Sequence, residues 1–248
     1  MKNKIWNGSC AECIGPLHLR QNLPMQDSHR LYFSAKNFVA AVSDGLGSRT
    51  HSDFGSDLAC RCFVKSAKKW IKQKSKSPQK QIRFFYDLWL KKINRSGYSV
   101  KECAATFLGA ICVSDRLYLF RLGDGMIAAL SGDGPHILLS DTKTDSFSNM
   151  TSCLEQKLDF SKWEIVKANA GNIETVFMCT DGISDDLESG CSVDFVKDLS
   201  VQYKGMSERQ IESDMKEWIS HWPVPRHTDD KTALFIHKKR ENYGRKNR

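Results

Sequence analysis

The chain has 248 residues, of which 40% are hydrophobic and 27% charged, a length and composition typical of a globular protein with a substantial core. No apolar run approaches the ~18 to 20 residues of a membrane-spanning helix, and no apolar leader opens the sequence, so we expect a cytoplasmic protein without a membrane partner. The nine cysteines are an odd number spread over predicted strands and helices, which favours reduced thiols over a disulfide framework.

The net charge of +8 is concentrated in a lysine-rich stretch, residues 65–80, and in the C-terminal segment, residues 238–248. No base-stacking aromatic residues are interleaved with these charges, which argues against nucleic acid as the partner. A solvated surface or a phosphorylated partner accounts for the charge more simply. We expect one domain, residues 1–238, followed by a basic and flexible tail, residues 239–248.

Short apolar runs separated by turn residues predict a protein rich in β-strands. Gly, Asn, Asp and Ser stand between the runs, as they do where strands are joined by tight turns. The predicted strands are residues 4–14, 31–35, 38–42, 103–113, 116–122, 126–130, 137–139, 163–166, 173–179 and 232–237.

Three segments have the period of amphipathic helices. Ser52 is the predicted N-cap of the first helix. Ser77 and Pro78 open the second helix, which ends at Gly97, and a capping box at residues 207–210 opens the third. Runs of strands flanked by helices, without strict strand–helix alternation, predict an α+β fold. We expect a central antiparallel β-sandwich flanked by antiparallel helix pairs, in α-β-β-α layers.

Several predicted strands end in an acidic turn that contains glycine. Asp44, Asp124 and Asp181 each follow an apolar run, and Asp229 precedes the last strand. Any one of these residues is most simply a turn former. Their repetition predicts one shared cluster of hard oxygen ligands, which Mg²⁺ or Mn²⁺ selects. Two such ions about 3.5 to 4 Å apart suit phosphoester hydrolysis, because they activate a bridging water and clamp an oxyanion.

Four of these turns, in their order and spacing, resemble a known signature. AVSDGLG, FRLGDG, MCTDG and TDDKT are similar to the signature turns of the metal-dependent protein phosphatases of type 2C, and PMQD resembles that family's early acidic motif. The matches extend from residue 24 to residue 235. The resemblance implies the sandwich fold described above and a protein serine/threonine phosphatase of a bacterial-like subgroup.

The resemblance also implies which residues hold the metal ions. Asp44 would bridge two ions, Mn²⁺ or Mg²⁺, while the Gly45 carbonyl binds one of them. Asp181 and Asp229 would complete the protein ligands. The family pattern has Asn after this last Asp, so Asp229 is the preferred ligand and Asp230 takes a supporting role.

Two further carboxylates receive roles from the same resemblance. Asp27 would hold a metal-bound water, and Asp124 matches a position associated with a third, weaker metal site. The implied mechanism is direct attack by the metal-bridging hydroxide on the phosphorus of phosphoserine or phosphothreonine, without a phosphoenzyme. The predicted catalytic residues are therefore Asp44, Asp27 and Asp181. The expected substrates are proteins phosphorylated by a serine/threonine kinase.

The sequence departs from the family pattern at three positions. Gln26 stands where many members have Glu, and Leu46 stands where animal members often have a His that acts as general acid. Asn22 stands where some members have an arginine that grips the substrate phosphate. Arg20 or His18 could replace that arginine, because either can donate to a phosphate oxygen, although a plain surface role suits both equally well.

Other interpretations stay open at this stage. A catalytically weak or inactive phosphatase-like domain that binds phosphoproteins would explain Gln26 and the missing arginine, but such a domain would be expected to lose a metal ligand. The pair Cys10 and Cys13 has the spacing of half a zinc or redox site without a second pair. A glycine pattern at residues 123–128 lacks the long helix of a dinucleotide fold. His227 could assist protonation, although a plain loop role is the simpler interpretation.

Overall fold

A computed structural model of the chain describes residues 6–73, 76–140 and 151–239. It contains two five-stranded sheets in which all paired strands are antiparallel. The strands are β1 (Trp6–Cys13), β2 (Asp27–Phe33), β3 (Phe38–Asp44), β4 (Phe107–Val113), β5 (Arg116–Leu122), β6 (Met126–Ser131), β7 (Ile137–Leu139), β8 (Glu164–Asn169), β9 (Ile173–Cys179) and β10 (Lys231–Lys238). The first sheet has the order β1-β10-β9-β6-β7, and the second has the order β2-β3-β4-β5-β8.

Helices cover the outer face of each sheet. The helices are α1 (Pro16–Gln21), α2 (Ser52–Trp70), α3 (Pro78–Ser96), α4 (Asp181–Ser184), α5 (Ser192–Gln202) and α6 (Glu208–Ser220), with a short 3₁₀ turn at Phe160–Lys162. Helices α2 and α3 share a hydrophobic cluster with the second sheet, and α5 and α6 share one with the first sheet. A third cluster fills the space between the sheets. The predicted α+β sandwich with flanking helix pairs is confirmed.

Strand β3 shows why a central strand can have a continuous apolar sequence. Phe38, Ala40 and Val42 belong to the cluster between the sheets, whereas Val39 and Ala41 belong to the cluster beneath α2 and α3. Successive side chains of a strand point to opposite faces, so a strand covered on both faces must be apolar at every position. Polar residues lie instead at the strand ends, where the acidic turns are found.

The helix ends agree with the sequence at two of the three predicted N-caps. The Ser77 side chain caps α3, with Pro78 in the first turn and Gly97 at the left-handed C-cap, and the capping box of Ser207 with Gln210 opens α6. The prediction for Ser52 was wrong. His51 occupies the N-cap of α2 without a side-chain hydrogen bond, because the Ser52 hydroxyl donates backwards to the Arg49 carbonyl, at 3.2 Å.

Some elements were missed or misplaced. Helices α1 and α5 were not predicted, although Val193, Phe195, Val196 and Leu199 of α5 belong to or pack against the cluster on the first sheet. Strand β4 begins at Phe107 instead of residue 103, because Ala105 forms only an isolated bridge with Gly45. The division into residues 1–238 and a tail stays a prediction, and residues 240–248 of that tail lie outside the described ranges.

Two expectations about the whole chain can be compared with the described residues. All nine cysteines lie in the described ranges and are free thiols, as expected. No helix within those ranges is long and apolar enough to cross a membrane.

Candidate metal centre

Both sheets bring carboxylates to the same end of the sandwich. Asp27 begins β2 and Asp44 ends β3, and the antiparallel register places these two residues directly opposite each other. On the other sheet, Asp181 follows the end of β9, and Asp229 and Asp230 precede the start of the neighbouring strand β10. The topology therefore gathers residues that span most of the sequence into one acidic cluster, as predicted from the strand ends.

A threonine joins the two sheets at this cluster. The Thr180 hydroxyl donates to Asp27 Oδ2 at 2.7 Å and accepts from the Thr232 backbone N–H at 3.1 Å. Thr180 thus connects the carboxylate of the second sheet to the backbone of the first. Sequence reasoning missed this residue, since Thr180 lies 153 positions from Asp27 and a threonine before a turn has no distinctive signal.

The carboxylates are buried close enough together to disfavour their ionised forms. Burial raises the pKa of Asp27 to about 8; the Thr180 hydrogen bond opposes this shift, and the charge of Asp230 adds to it. Burial and the charges of Asp27 and Asp181 raise the pKa of Asp44 well above its usual range. Burial, followed by the charge of Asp229, raises the pKa of Asp181 to about 7. These shifts are typical of a like-charged cluster without a counter-ion.

The donor atoms fit a hard divalent cation. Asp27 Oδ1 is buried, and within the described part of the chain it faces no donor other than the neighbouring Asp44 carboxyl group. Two carboxyl groups in contact need a proton or a cation between them. Within the described ranges, no three His, Cys, Asp or Glu side chains are arranged to hold one ion by themselves. An ion at this site would therefore complete its coordination with backbone carbonyls and water, as Mg²⁺ commonly does.

Two glycines allow the acidic turns to approach their neighbours. A Cβ at Gly45 would lie 2.6 Å from the Ser52 carbonyl group, and one at Gly182 would lie 2.0 Å from the Asp230 carbonyl oxygen. Neither separation is compatible with a side chain. The Gly45 N–H donates to the Gln26 carbonyl at 3.1 Å, which fixes the turn that follows Asp44. The Asp-Gly pairs are thus required by close packing as well as by turn geometry.

Asp230 has a structural role that differs from that of Asp229. Its buried carboxylate accepts hydrogen bonds from the backbone N–H groups of Gly15 and Gln26, both at 2.6 Å, and lies 3.0 Å from His18 Nδ1. Asp229 is exposed. This arrangement gives Asp230 a structural role, and the assignment of Asp229 as a metal ligand stays a prediction.

The two predicted phosphate contacts differ in accessibility. His18 is buried, and its Nδ1 atom faces Asp230 inside the protein. This pairing was not foreseen, and it leaves Nδ1 directed away from a substrate. Arg20 is exposed on α1, so its side chain is open to solvent.

Asp124 lies at the edge of the cluster. It stands between Gly123 and Gly125, whose φ angles of 82° and 92° are accessible mainly to glycine. The Thr151 hydroxyl donates to Asp124 Oδ2 at 2.5 Å. The charge of Asp124 also contributes to the raised pKa of Asp181, which is consistent with a position near the other carboxylates.

A cavity of about 230 Å³ opens beside the cluster. Asp181 and Asp229 line it together with Arg226, His227 and Lys231. The Lys231 ammonium group is 3.1 Å from His227 Nδ1 and donates to the Asp229 carbonyl at 3.2 Å. Clustered carboxylates next to an open cavity that also carries basic groups are what a metal-dependent hydrolase of phosphoesters requires.

Comparison with known proteins identifies the family within this class. A family model described as protein phosphatase 2C matches residues 14–222. The chain is 24% identical over 257 residues to serine/threonine-protein phosphatase 3 of Escherichia coli (strain K12), in an alignment that covers 93% of this chain and 97% of that protein. The chain belongs to the protein phosphatase 2C family. It is therefore a metal-dependent protein serine/threonine phosphatase, as predicted, and its substrates are phosphoproteins.

Solved structures share the fold at low sequence identity. The S. agalactiae serine/threonine phosphatase has a TM-score of 0.63 at 15% identity, with 94% of this chain and 100% of that chain covered. The catalytic domain of the serine/threonine protein phosphatase PstP, in complex with two manganese ions, has a TM-score of 0.61 at 13% identity, with 95% and 99% covered. RsbX in complex with magnesium has a TM-score of 0.58 at 14% identity, with 96% and 98% covered.

Proposed function

We propose that the acidic cluster holds two divalent ions, Mn²⁺ or Mg²⁺, and that the chain uses them to hydrolyse phosphoserine and phosphothreonine in proteins. The observation that carries this proposal is the meeting of Asp27 and Asp44 from one sheet with Asp181 and Asp229 from the other. The manganese complex of PstP and the magnesium complex of RsbX support the choice of metal. Divalent ions supply activation of water and neutralisation of phosphate charge.

The residues of the chain have distinct roles in this proposal. The carboxylates of Asp44, Asp181 and Asp229 and the carbonyl of Gly45 hold the ions. Asp27, whose Oδ2 atom is fixed by Thr180, would hold a metal-bound water with its other carboxylate oxygen. Asp124 belongs to a third and weaker ion site at the edge of the cluster.

The biological setting is also part of the proposal. We place the protein in the cytoplasm, with proteins phosphorylated by a serine/threonine kinase as its substrates. Its basic surface would assist their capture, because phosphorylated segments are acidic. Such steering predicts a rate that falls with ionic strength.

The test is hydrolysis of p-nitrophenyl phosphate and of a phosphothreonine peptide in Mn²⁺, in Mg²⁺ and in EDTA. Asp44→Asn and Asp181→Asn remove charge from the cluster without changing side-chain size. Asp194→Asn is the matched control, since Asp194 is an exposed carboxylate of α5 that pairs with Lys197 at 2.9 Å.

We expect metal-dependent turnover in the wild type and in the control, and a loss of at least about 100-fold in the two cluster variants, because each variant removes a charge that stabilises the transition state. A folded wild-type protein that binds metal and phosphopeptide without turnover would refute the proposed activity. That result would favour a phosphoprotein-binding role.

A further inference from the structure

The loop between α6 and β10 forms one wall of the cavity beside the acidic cluster. It is held at both ends. Near its start, Trp222 Nε1 donates to Asp186 Oδ2 at 2.7 Å, and near its end the Thr228 carbonyl accepts from the Leu17 N–H of α1 at 3.1 Å. These two hydrogen bonds hold the loop backbone in place, and with it the positions from which its side chains extend.

Arg226 occupies an unusual backbone conformation in this loop. Its φ angle is 63°, in the left-handed region that residues other than glycine seldom adopt. Pro225 comes directly before it, and the proline ring fixes its own φ. Backbone conformations of this kind persist where the surrounding structure enforces them, and they cluster at ligand sites. The loop thus fixes the direction in which the Arg226 side chain leaves the backbone.

Arg226 also differs from Lys231, the other long basic side chain of the cavity, in having hydrogen-bond donors without a partner among the described residues. Lys231 is engaged by His227 and by the Asp229 carbonyl. Arg226 lines the same cavity and makes no hydrogen bond or ion pair with any residue of the described ranges. It is exposed, so its guanidinium group can be reached by a solute that enters the cavity.

We propose that Arg226 binds the phosphoryl group of the substrate during hydrolysis at the metal centre. This inference rests on the proposed function. A guanidinium group matches two phosphoryl oxygens in a bidentate arrangement that lysine cannot reproduce. The cavity volume of about 230 Å³ accommodates a phosphoryl group together with several waters, each of which takes about 30 Å³. Because the loop backbone is already held in place, binding costs the rotamer freedom of the Arg226 side chain but no rearrangement of the loop.

The experiment compares Arg226→Ala and Arg226→Lys with Arg209→Ala, a control at an exposed arginine on α6, which packs on the outer face of the first sheet. KM and kcat are measured for p-nitrophenyl phosphate and for a phosphothreonine peptide in saturating Mn²⁺. The inhibition constant of inorganic phosphate and the Mn²⁺ concentration for half-maximal rate are measured in parallel. Calorimetric titration with inorganic phosphate in Mn²⁺ gives an affinity that does not depend on turnover.

We expect Arg226→Ala to raise KM for both substrates and the inhibition constant of phosphate by about tenfold or more, the effect of losing a charge-assisted hydrogen bond. The change in kcat should be smaller, and the Mn²⁺ dependence should be unchanged. Arg226→Lys should recover part of the loss, and Arg209→Ala should match the wild type.

Several results would overturn the role of Arg226. Unchanged phosphate inhibition would do so, and so would a rise in KM for the peptide alone, which would indicate a contact with the peptide instead of the phosphoryl group. A shift in Mn²⁺ dependence would mean that Arg226 acts on the carboxylates, and a loss seen in Arg20→Ala instead would assign the contact to α1. A wild type without turnover would refute the proposed activity, while calorimetry would still test Arg226 by itself.

Discussion

The buried carboxylates predict that the metal-free protein loses stability as the pH rises. Burial raises the pKa of Asp27 to about 8 and that of Asp181 to about 7, whereas both groups titrate near pH 4 in an unfolded chain. The folded state therefore binds more protons than the unfolded state between these values. The stability that these two protonated groups contribute is fully present below about pH 4 and declines until the pH passes the folded-state pKa.

The magnitude follows from proton linkage. Each proton retained only by the folded state makes the free energy of unfolding fall by about 1.4 kcal/mol per pH unit. For Asp27 alone, we expect the free energy of unfolding to fall by about 2 to 3 kcal/mol between about pH 5.5 and pH 7.5. The titration of His29 also lowers the free energy of unfolding as the pH rises. Burial lowers its pKa, but hydrogen bonds with Cys10 and Glu12 outweigh burial and raise it to about 9, so its stabilising charge is lost as the pH rises above about 6.5.

The assay is urea denaturation in EDTA at several pH values, for the wild type and for Asp27→Asn. The amide is neutral at every pH, so the variant should lose about 2 kcal/mol of the pH-dependent fall in the free energy of unfolding and keep the parts due to Asp181 and His29. Added Mn²⁺ should restore stability most strongly at the higher pH, because metal ions bind ionised carboxylates. Equal slopes for the wild type and the variant would refute the view that Asp27 is buried and protonated in the metal-free protein.

Two further predictions concern the groups that hold the cluster together. Thr180→Val keeps the side-chain shape but leaves the Asp27 carboxylate and a backbone N–H without their partner, so we expect a loss of about 1 to 3 kcal/mol in the free energy of unfolding, measured by urea denaturation. Gly182→Ala should cost about 1 to 3 kcal/mol and weaken Mn²⁺ binding in calorimetry, since its Cβ would meet the Asp230 carbonyl at 2.0 Å. Gly47→Ala is its control, with its nearest neighbour 3.7 Å away, and an equal loss there would contradict the steric argument.

Much of the fold follows from local pattern. Strands β5, β7 and β9 have the bounds predicted from the sequence, because each is an apolar run with turn residues at both ends. The same rule located the acidic turns. Local pattern does not decide which of two partners a polar side chain takes, as at Ser52. Helix α5 was overlooked although Val193, Val196 and Leu199 recur at helical spacing.

The parts of the site that could not be predicted depend on distant pairs. The contact of His18 with Asp230 and that of Asp27 with Thr180 join residues that are far apart in the sequence. Neither pair has a local signal, since each side chain is compatible with a loop or a strand end. The shape of the α6–β10 loop around Arg226 likewise depends on its anchors at Asp186 and Leu17.

The carboxylate of Asp230 sets the order in which the centre can be assembled during synthesis. Its hydrogen bonds to Gly15 and Gln26 join residues that are 215 and 204 positions apart in the sequence, so Gly15 and Gln26 lack this partner until residue 230 has left the ribosome. Contacts of such long range form late and slowly in folding. A nascent chain that ends before Asp230 therefore lacks the hydrogen bonds that hold Gly15 and Gln26 in place, and the centre cannot be completed before residue 230 has been synthesised.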